Sequence, residues 1–165
     1  MTIHVRPATR EDMPMIASFI RELAEYERLS HAVRFDEQVM ALHLFGPNPA
    51  AEVLIGEYRD EAQGFALFFP TFSTFEGKPG IWLEDLYVRP SARGAGLGKA
   101  LLHQIAKTAL KRGCARFEWS VLEWNEPALG FYRSLGTVMQ DDWRFMRLEG
   151  EALSQLGASV PDRNA

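Results

Sequence analysis

Hydrophobic side chains recur along the chain with two periods, and the change from one to the other divides it into elements. Met13, Ile16, Phe19, Ile20 and Leu23 return every three or four residues, the spacing of one helix face, and predict a helix running to about Arg28. Thr9 followed by Asp12 is an acidic variant of the capping box that would open it, after a short strand from Ile3 to Arg6 that Pro7 stops. Asp36 can cap a second helix ending at Phe45, with Gly46 as terminator and the loop GPNPA after it. The period then shortens. EVLIGEY, GFALFFP and IWLEDLYV are β-rich runs separated by the turn segments RDEAQ and TFSTFEGKPG, the pattern of an antiparallel meander. From Lys99 to Arg112 the helical period returns, with Leu101, Leu102, Ile105, Ala106 and Ala109 on one side and Gly113 at the stop. Phe117, Trp119 and Val121 alternate along a further strand, Ala115 to Val121. Asn125 caps a short helix begun by Glu126 and Pro127 and ended by Gly136, and a last strand or hairpin is expected from about Val138 to Leu148. The order βαα, three strands, then αβαβ predicts a mixed α/β domain over residues 1–150, with a small and polar C-terminal tail, 151–165, expected to be partly disordered.

Composition changes this picture mainly by exclusion. Eighteen Lys and Arg against 22 Asp and Glu leave a charge of -4, so the basic footprint of a nucleic-acid binder is missing and a cationic partner fits better. The lone Cys114 excludes an internal disulfide and any multi-cysteine zinc site, and points to a reducing, cytoplasmic setting. The four histidines, His4, His31, His43 and His103, are scattered without metal-ligand spacing, so no metal is assigned. Neither a signal peptide nor a membrane-length apolar run is apparent, and a membrane partner is not expected.

Chemistry concentrates in EDLYVRPSARGAGLGKALL, Glu84 to Leu102. Gly94, Gly96 and Gly98 alternate with Ala95 and Leu97 just before a helix, where successive amides and the helix dipole can converge on an anion, and Arg93 and Lys99 add charge. An ordinary glycine-rich turn would look the same. Two nucleotide fingerprints fail here. The Walker pattern needs Gly and a hydroxyl residue where Arg93 and Ala100 stand, and the dinucleotide pattern needs a third glycine where Lys99 or Leu101 stands. What the segment does contain is R-x-x-G-x-G, Arg93 to Gly98, after a strand and opening a helix.

That loop and its surroundings resemble the acetyl-coenzyme A site of the GNAT superfamily of acyltransferases. LEWNEPALGFYRSLG (Leu122 to Gly136), the opening VRPAT with ELAEYE, and LEDLYV are similar to segments of its diamine acetyltransferases of the spermidine/spermine or thialysine type, so that the resemblance spans about residues 3–148. It implies a single-domain α/β fold, a mixed central sheet with an antiparallel N-terminal meander and helices on both faces. It implies acetyl-CoA as co-substrate, a small cationic amine as acceptor (diamine, polyamine or lysine-like amino acid), and a homodimer.

Carried over by position, the resemblance places the backbone of Leu86, Tyr87 and Val88 along the pantetheine arm and Gly94 to Lys99 around the pyrophosphate. Asn125, Glu126 and Pro127 would meet the coenzyme from the other side, with Tyr132 beside the sulfur as a catalytic residue. Glu84 would serve as base through water, and in a regular strand its neighbour Asp85 would point to the opposite face. Glu27, Asp141 and Trp143 would hold the amine, along with Glu84. Ser73, Thr74 and Phe75 stand where the polyamine enzymes carry an acid and a tryptophan, which favours shorter acceptors. Two other readings stay open: a non-catalytic acyl-CoA sensor, and an acetyltransferase of protein N-termini or lysines.

Overall fold

The computed structural model describes residues 2–158. Strands β1 (Ile3–Pro7), β2 (Glu52–Tyr58), β3 (Glu61–Ser73), β4 (Lys78–Val88) and β5 (Arg116–Trp119) form one sheet in chain order. The first four pair antiparallel, and β4 pairs parallel with β5 through the crossover helix α3 (Leu97–Lys111). This is the mixed sheet with an N-terminal meander that the sequence predicts. Helices α1 (Met13–Tyr26) and α2 (Glu37–Phe45) precede β2, while α4 (Glu126–Arg133) and α5 (Gly150–Ala158) follow β5. The chain divides into two compact units, Met1–Leu122 and Glu123–Ala165, described in turn.

In the first unit both faces of the sheet are covered. Ile16, Ala17 and Phe19 of α1 and Leu44 of α2 pack on Val53, Ile55, Phe65, Leu67 and Tyr87, with the Phe19 and Phe65 rings stacked at 5.7 Å. On the other face, a side chain at Gly56 would run into Leu97 and Leu101, so α3 lies directly on β2 there. Local signals act as predicted: Asp36 accepts from the Gln38 and Val39 N–H groups at 2.9 Å each, and Thr9 N–H donates to the Asp12 carboxylate at 2.8 Å. The turn between β2 and β3 is tighter than RDEAQ suggested, because Arg59 and Asp60 both adopt positive φ (55° and 60°) and make a two-residue hairpin connection.

Gly64 is fixed by a close approach. A Cβ there would come within 2.5 Å of the Tyr87 carbonyl oxygen, a backbone atom that cannot move aside without breaking the β3–β4 ladder. Gly64→Ala is therefore expected to lose roughly 1–3 kcal/mol of stability. A lower urea midpoint at unchanged slope would register it, and an unchanged midpoint would refute it.

The second unit contains α4 and α5. The tail is expected to be partly disordered, and its residues 151–158 belong to α5, while the rest of it lies outside the described residues. The strand or hairpin expected from Val138 to Leu148 is absent. Those residues form no ladder among the described residues, and Val138, Trp143, Phe145 and Met146 are exposed. Alternation marks a segment suited to a pleated surface, but only hydrogen bonding to a neighbour makes a strand of it.

Candidate active site

The site is built around the C-terminal half of β4. Pairing with β5 runs only from Gly80–Arg116 to Leu83–Trp119. On the other side, β3 stays paired with β4 throughout, but the register slips between Leu67, opposite Asp85, and Phe68, opposite Leu83. Glu84 is the extra residue of a β-bulge, which bends the strand where the β5 ladder stops. From Glu84 to Val88, β4 therefore keeps one open edge among the described residues, with backbone N–H and C=O groups available to a bound chain. Leu86, Tyr87 and Val88, the residues expected along the pantetheine arm, lie on this stretch.

The same strand delivers the glycine loop. Gly94 and Gly96 take positive φ values of 76° and 95°, conformations that side chains oppose, and Gly96 ends the loop as the N-cap of α3. The first intrahelical bond of α3 runs from Ala100 N–H to Gly96 C=O, so the N–H groups of Leu97, Gly98 and Lys99 project beyond the helix. Together with the helix dipole they suit a phosphate group. Lys99 is exposed in this first turn. Arg93 reaches the loop already engaged, its Nε donating to the Val88 carbonyl at 2.9 Å and its guanidinium lying over the Tyr26 and Tyr87 rings at 4.9 and 5.9 Å.

The bulge interrupts the regular alternation on which the expectation of opposite faces for Glu84 and Asp85 rested. Asp85, opposite Leu67, shares the α1 face with Phe65 and Tyr87, and it is close enough to both Glu84 and Glu27 to feel their charge. Burial first, then those two neighbours, push the Asp85 carboxyl up to about 7. Burial also raises Glu27, which follows the last turn of α1. Glu84 is exposed, and its carboxylate accepts from Trp82 Nε1 at 2.9 Å. No three such side chains among the described residues converge tightly enough to hold a metal ion. This region is an electrostatically negative wall, and Asp85 is its member that the sequence did not disclose.

A second group that sequence reasoning missed ties α1 to the end of β4. Arg89 donates to Glu22 at 2.7 and 3.0 Å and lies 4.8 Å over the Phe19 ring, while Ser18 donates to the same carboxylate at 2.9 Å. Arg89 holds the Glu22 carboxyl below its ordinary range. An open groove of about 500 Å³ follows α1 past Ser18, Glu22 and Glu25 to Ser30 and Val33.

In the second unit, Asn125 is buried and its side-chain oxygen accepts from Ala128 N–H, capping α4 as expected, with exposed Glu126 and Pro127 in the first turn. Tyr132 is half-buried near the end of α4, its ring tilted against Phe131 at 5.4 Å. Asp141 and Trp143 sit in an exposed turn in which Trp143 N–H donates to Gln140 C=O at 3.2 Å.

Residues 16–137 match the family model described as acetyltransferase (GNAT) family. The chain is 37% identical to the thialysine N-epsilon-acetyltransferase of Mus musculus over 163 residues, covering 92% of this chain and 95% of that protein. It is 30% identical to an L-ornithine N5-acetyltransferase of Arabidopsis thaliana, covering 94% and 88%. Among solved structures it is similar to an integron cassette protein from the mobile metagenome of V. cholerae, with TM-score 0.79, 27% identity and coverage of 96% and 99%.

Proposed function

Since the chain belongs to the acetyltransferase (GNAT) family, we propose that it transfers the acetyl group of acetyl-CoA to the primary amine of a lysine-like amino acid or short diamine. The observation that carries this reading is the open edge of β4 beyond Leu83, set between the glycine loop at the start of α3 and the carboxylates Glu27, Glu84 and Asp85. The relatives that act on thialysine and ornithine support the acceptor class.

In this reading the backbone of Gly94 to Lys99 cradles the pyrophosphate. The amides of Leu86 to Val88 face the pantetheine arm and polarise the thioester carbonyl, and Asn125, Glu126 and Pro127 close on the coenzyme. The acceptor arrives as an ammonium ion. With a pKa near that of lysine, about 10.4, freeing its lone pair at pH 7 costs about 5 kcal/mol, so a carboxylate that takes the proton lowers the barrier directly. Glu84, through water, takes that proton, and Glu27, Asp141 and Trp143 hold the rest of the cation. The amine nitrogen bonds to the thioester carbon, the carbon–sulfur bond breaks, and Tyr132 meets the departing thiolate. A homodimer in the cytoplasm belongs to the same reading, supported by the apolar side chains that the second unit leaves exposed and by the single cysteine.

The test follows free thiol release from acetyl-CoA with thialysine, ornithine, short diamines, spermidine and aminoglycosides. Thialysine or ornithine is expected to give the highest kcat/KM, and spermidine less, because Ser73, Thr74 and Phe75 stand where the polyamine enzymes carry an acid and a tryptophan. Coenzyme binding with no amine-dependent thiol release would favour a sensor instead.

A further inference from the structure

Phe19, Glu22 and Tyr26 lie at i, i+3 and i+7 of α1, so they share one helix face. Each meets a residue from the end of β4 or the loop after it. Phe19 packs 6.2 Å from the Tyr87 ring and lies under Arg89, Glu22 receives the Arg89 guanidinium, and Tyr26 receives that of Arg93. The contacts are thus ordered along the helix, with Arg93 at its outer end. Glu27 caps that end directly after Tyr26, its N–H donating to the Leu23 carbonyl at 2.9 Å. The next residue, Arg28, sits at positive φ (61°) in a Schellman turn closed by its N–H on the Glu25 carbonyl at 3.0 Å and the Leu29 N–H on the Ala24 carbonyl at 2.7 Å.

Arg93 is at the same time anchored to the coenzyme side. Its Nε donates into the Val88 carbonyl, the last residue of β4, and Gly94 begins the loop immediately after it. A guanidinium held between a carbonyl and two tyrosine faces would have to leave both rings to follow a phosphate, and the backbone N–H groups at the start of α3 already suit that anion.

We propose that Arg93 is a positioning residue for the amine: it bridges the coenzyme loop to Tyr26 and so keeps the end of α1, with Glu27, in place beside Asp85 and Glu84. This departs from the sequence expectation that its guanidinium serves the pyrophosphate, and it rests on the acetyl-transfer reading for its functional consequence.

A double-variant cycle on the full chain tests it, with Arg93→Gln, Tyr26→Leu and both together. The acceptor is thialysine or ornithine, whichever turns over faster. An exposed cation–π contact is worth about 0.5–1 kcal/mol, so each single change is expected to raise the amine KM roughly twofold to fivefold, with kcat nearly unchanged. The double variant is expected to be no worse than the worse single one, and Arg93→Lys, which keeps the charge over the rings, to recover part of the loss. An unchanged amine KM, or effects that simply multiply, would overturn the proposal, and calorimetric loss of coenzyme affinity alone would assign Arg93 to the pyrophosphate. Thermal midpoints of the uncomplexed variants read the bridge independently of catalysis. Non-additive shifts support it and additive shifts overturn it, even if no amine supports turnover and the acetyl-transfer reading itself fails.

Discussion

Tyr132→Phe is expected to lower kcat on the order of a hundredfold while leaving the coenzyme dissociation constant within about threefold. The substitution removes one oxygen from a half-buried ring that keeps its packing on Phe131, so α4 and its Asn125 cap stay intact. Full proton transfer is a poor account of the role. A phenol near pKa 10 giving its proton to a thiolate whose conjugate acid is near 8.5 would run uphill by about 2 kcal/mol in water. The hydroxyl instead donates a hydrogen bond that strengthens as negative charge grows on sulfur, which lowers the barrier without helping the ground state. Stopped-flow thiol release with direct coenzyme titration measures both quantities. An unaltered turnover number would remove Tyr132 from the mechanism.

The second large effect is one of stability and runs against the usual direction for a carboxylate. Asp85 titrates near 7 in the folded chain against an ordinary value of 3.8, so between those values the native state holds a proton that the unfolded chain has shed. Stability from Asp85 is therefore fully present below about pH 4 and is lost as pH rises through 7. Asp85→Asn is expected to be more stable than the parent at pH 8, by at most about 4 kcal/mol, with the difference vanishing near pH 4. The pairs Arg6–Asp12 and Arg89–Glu22 hold their carboxyls below the ordinary range and lose their contribution as pH falls. Comparison of variant with parent at each pH cancels those pairs and isolates Asp85. Urea midpoints at pH 4, 6 and 8 give the result, and a constant difference across them would contradict it. The same variant should raise the amine KM, since the Asp85 charge that costs stability at high pH is one a cationic acceptor would neutralise.

Much of this protein is legible in one dimension because its signals are local. The helix faces of α1 and α3, the caps at Asp36 and Asn125, and the turning glycines Gly94 and Gly96 follow from spacing and backbone freedom, which neighbours in sequence already determine. The glycine loop before α3 is read in the same way. The bulge at Glu84 is not, because it exists only as a mismatch of register between β3 and β4, and neither strand alone encodes the slip. Placement of Asp85 on the α1 face follows from that slip, as does the point where β4 parts from β5. Arg93 carries the same lesson: its charge and its place in the loop are plain in sequence, but the two tyrosines that engage it lie 67 and 6 residues away. The segment from Val138 to Leu148 shows the converse, since its alternation is visible in sequence while the ladder that would make it a strand is not formed. Sequence by itself determined most of the elements, the family resemblance and the glycine loop that opens α3, all carried by local periodicity and backbone conformation. Tertiary structure alone decided on which face Asp85 lies and where the arginines are committed, because charge coupling and ring contacts depend on distances that only packing sets.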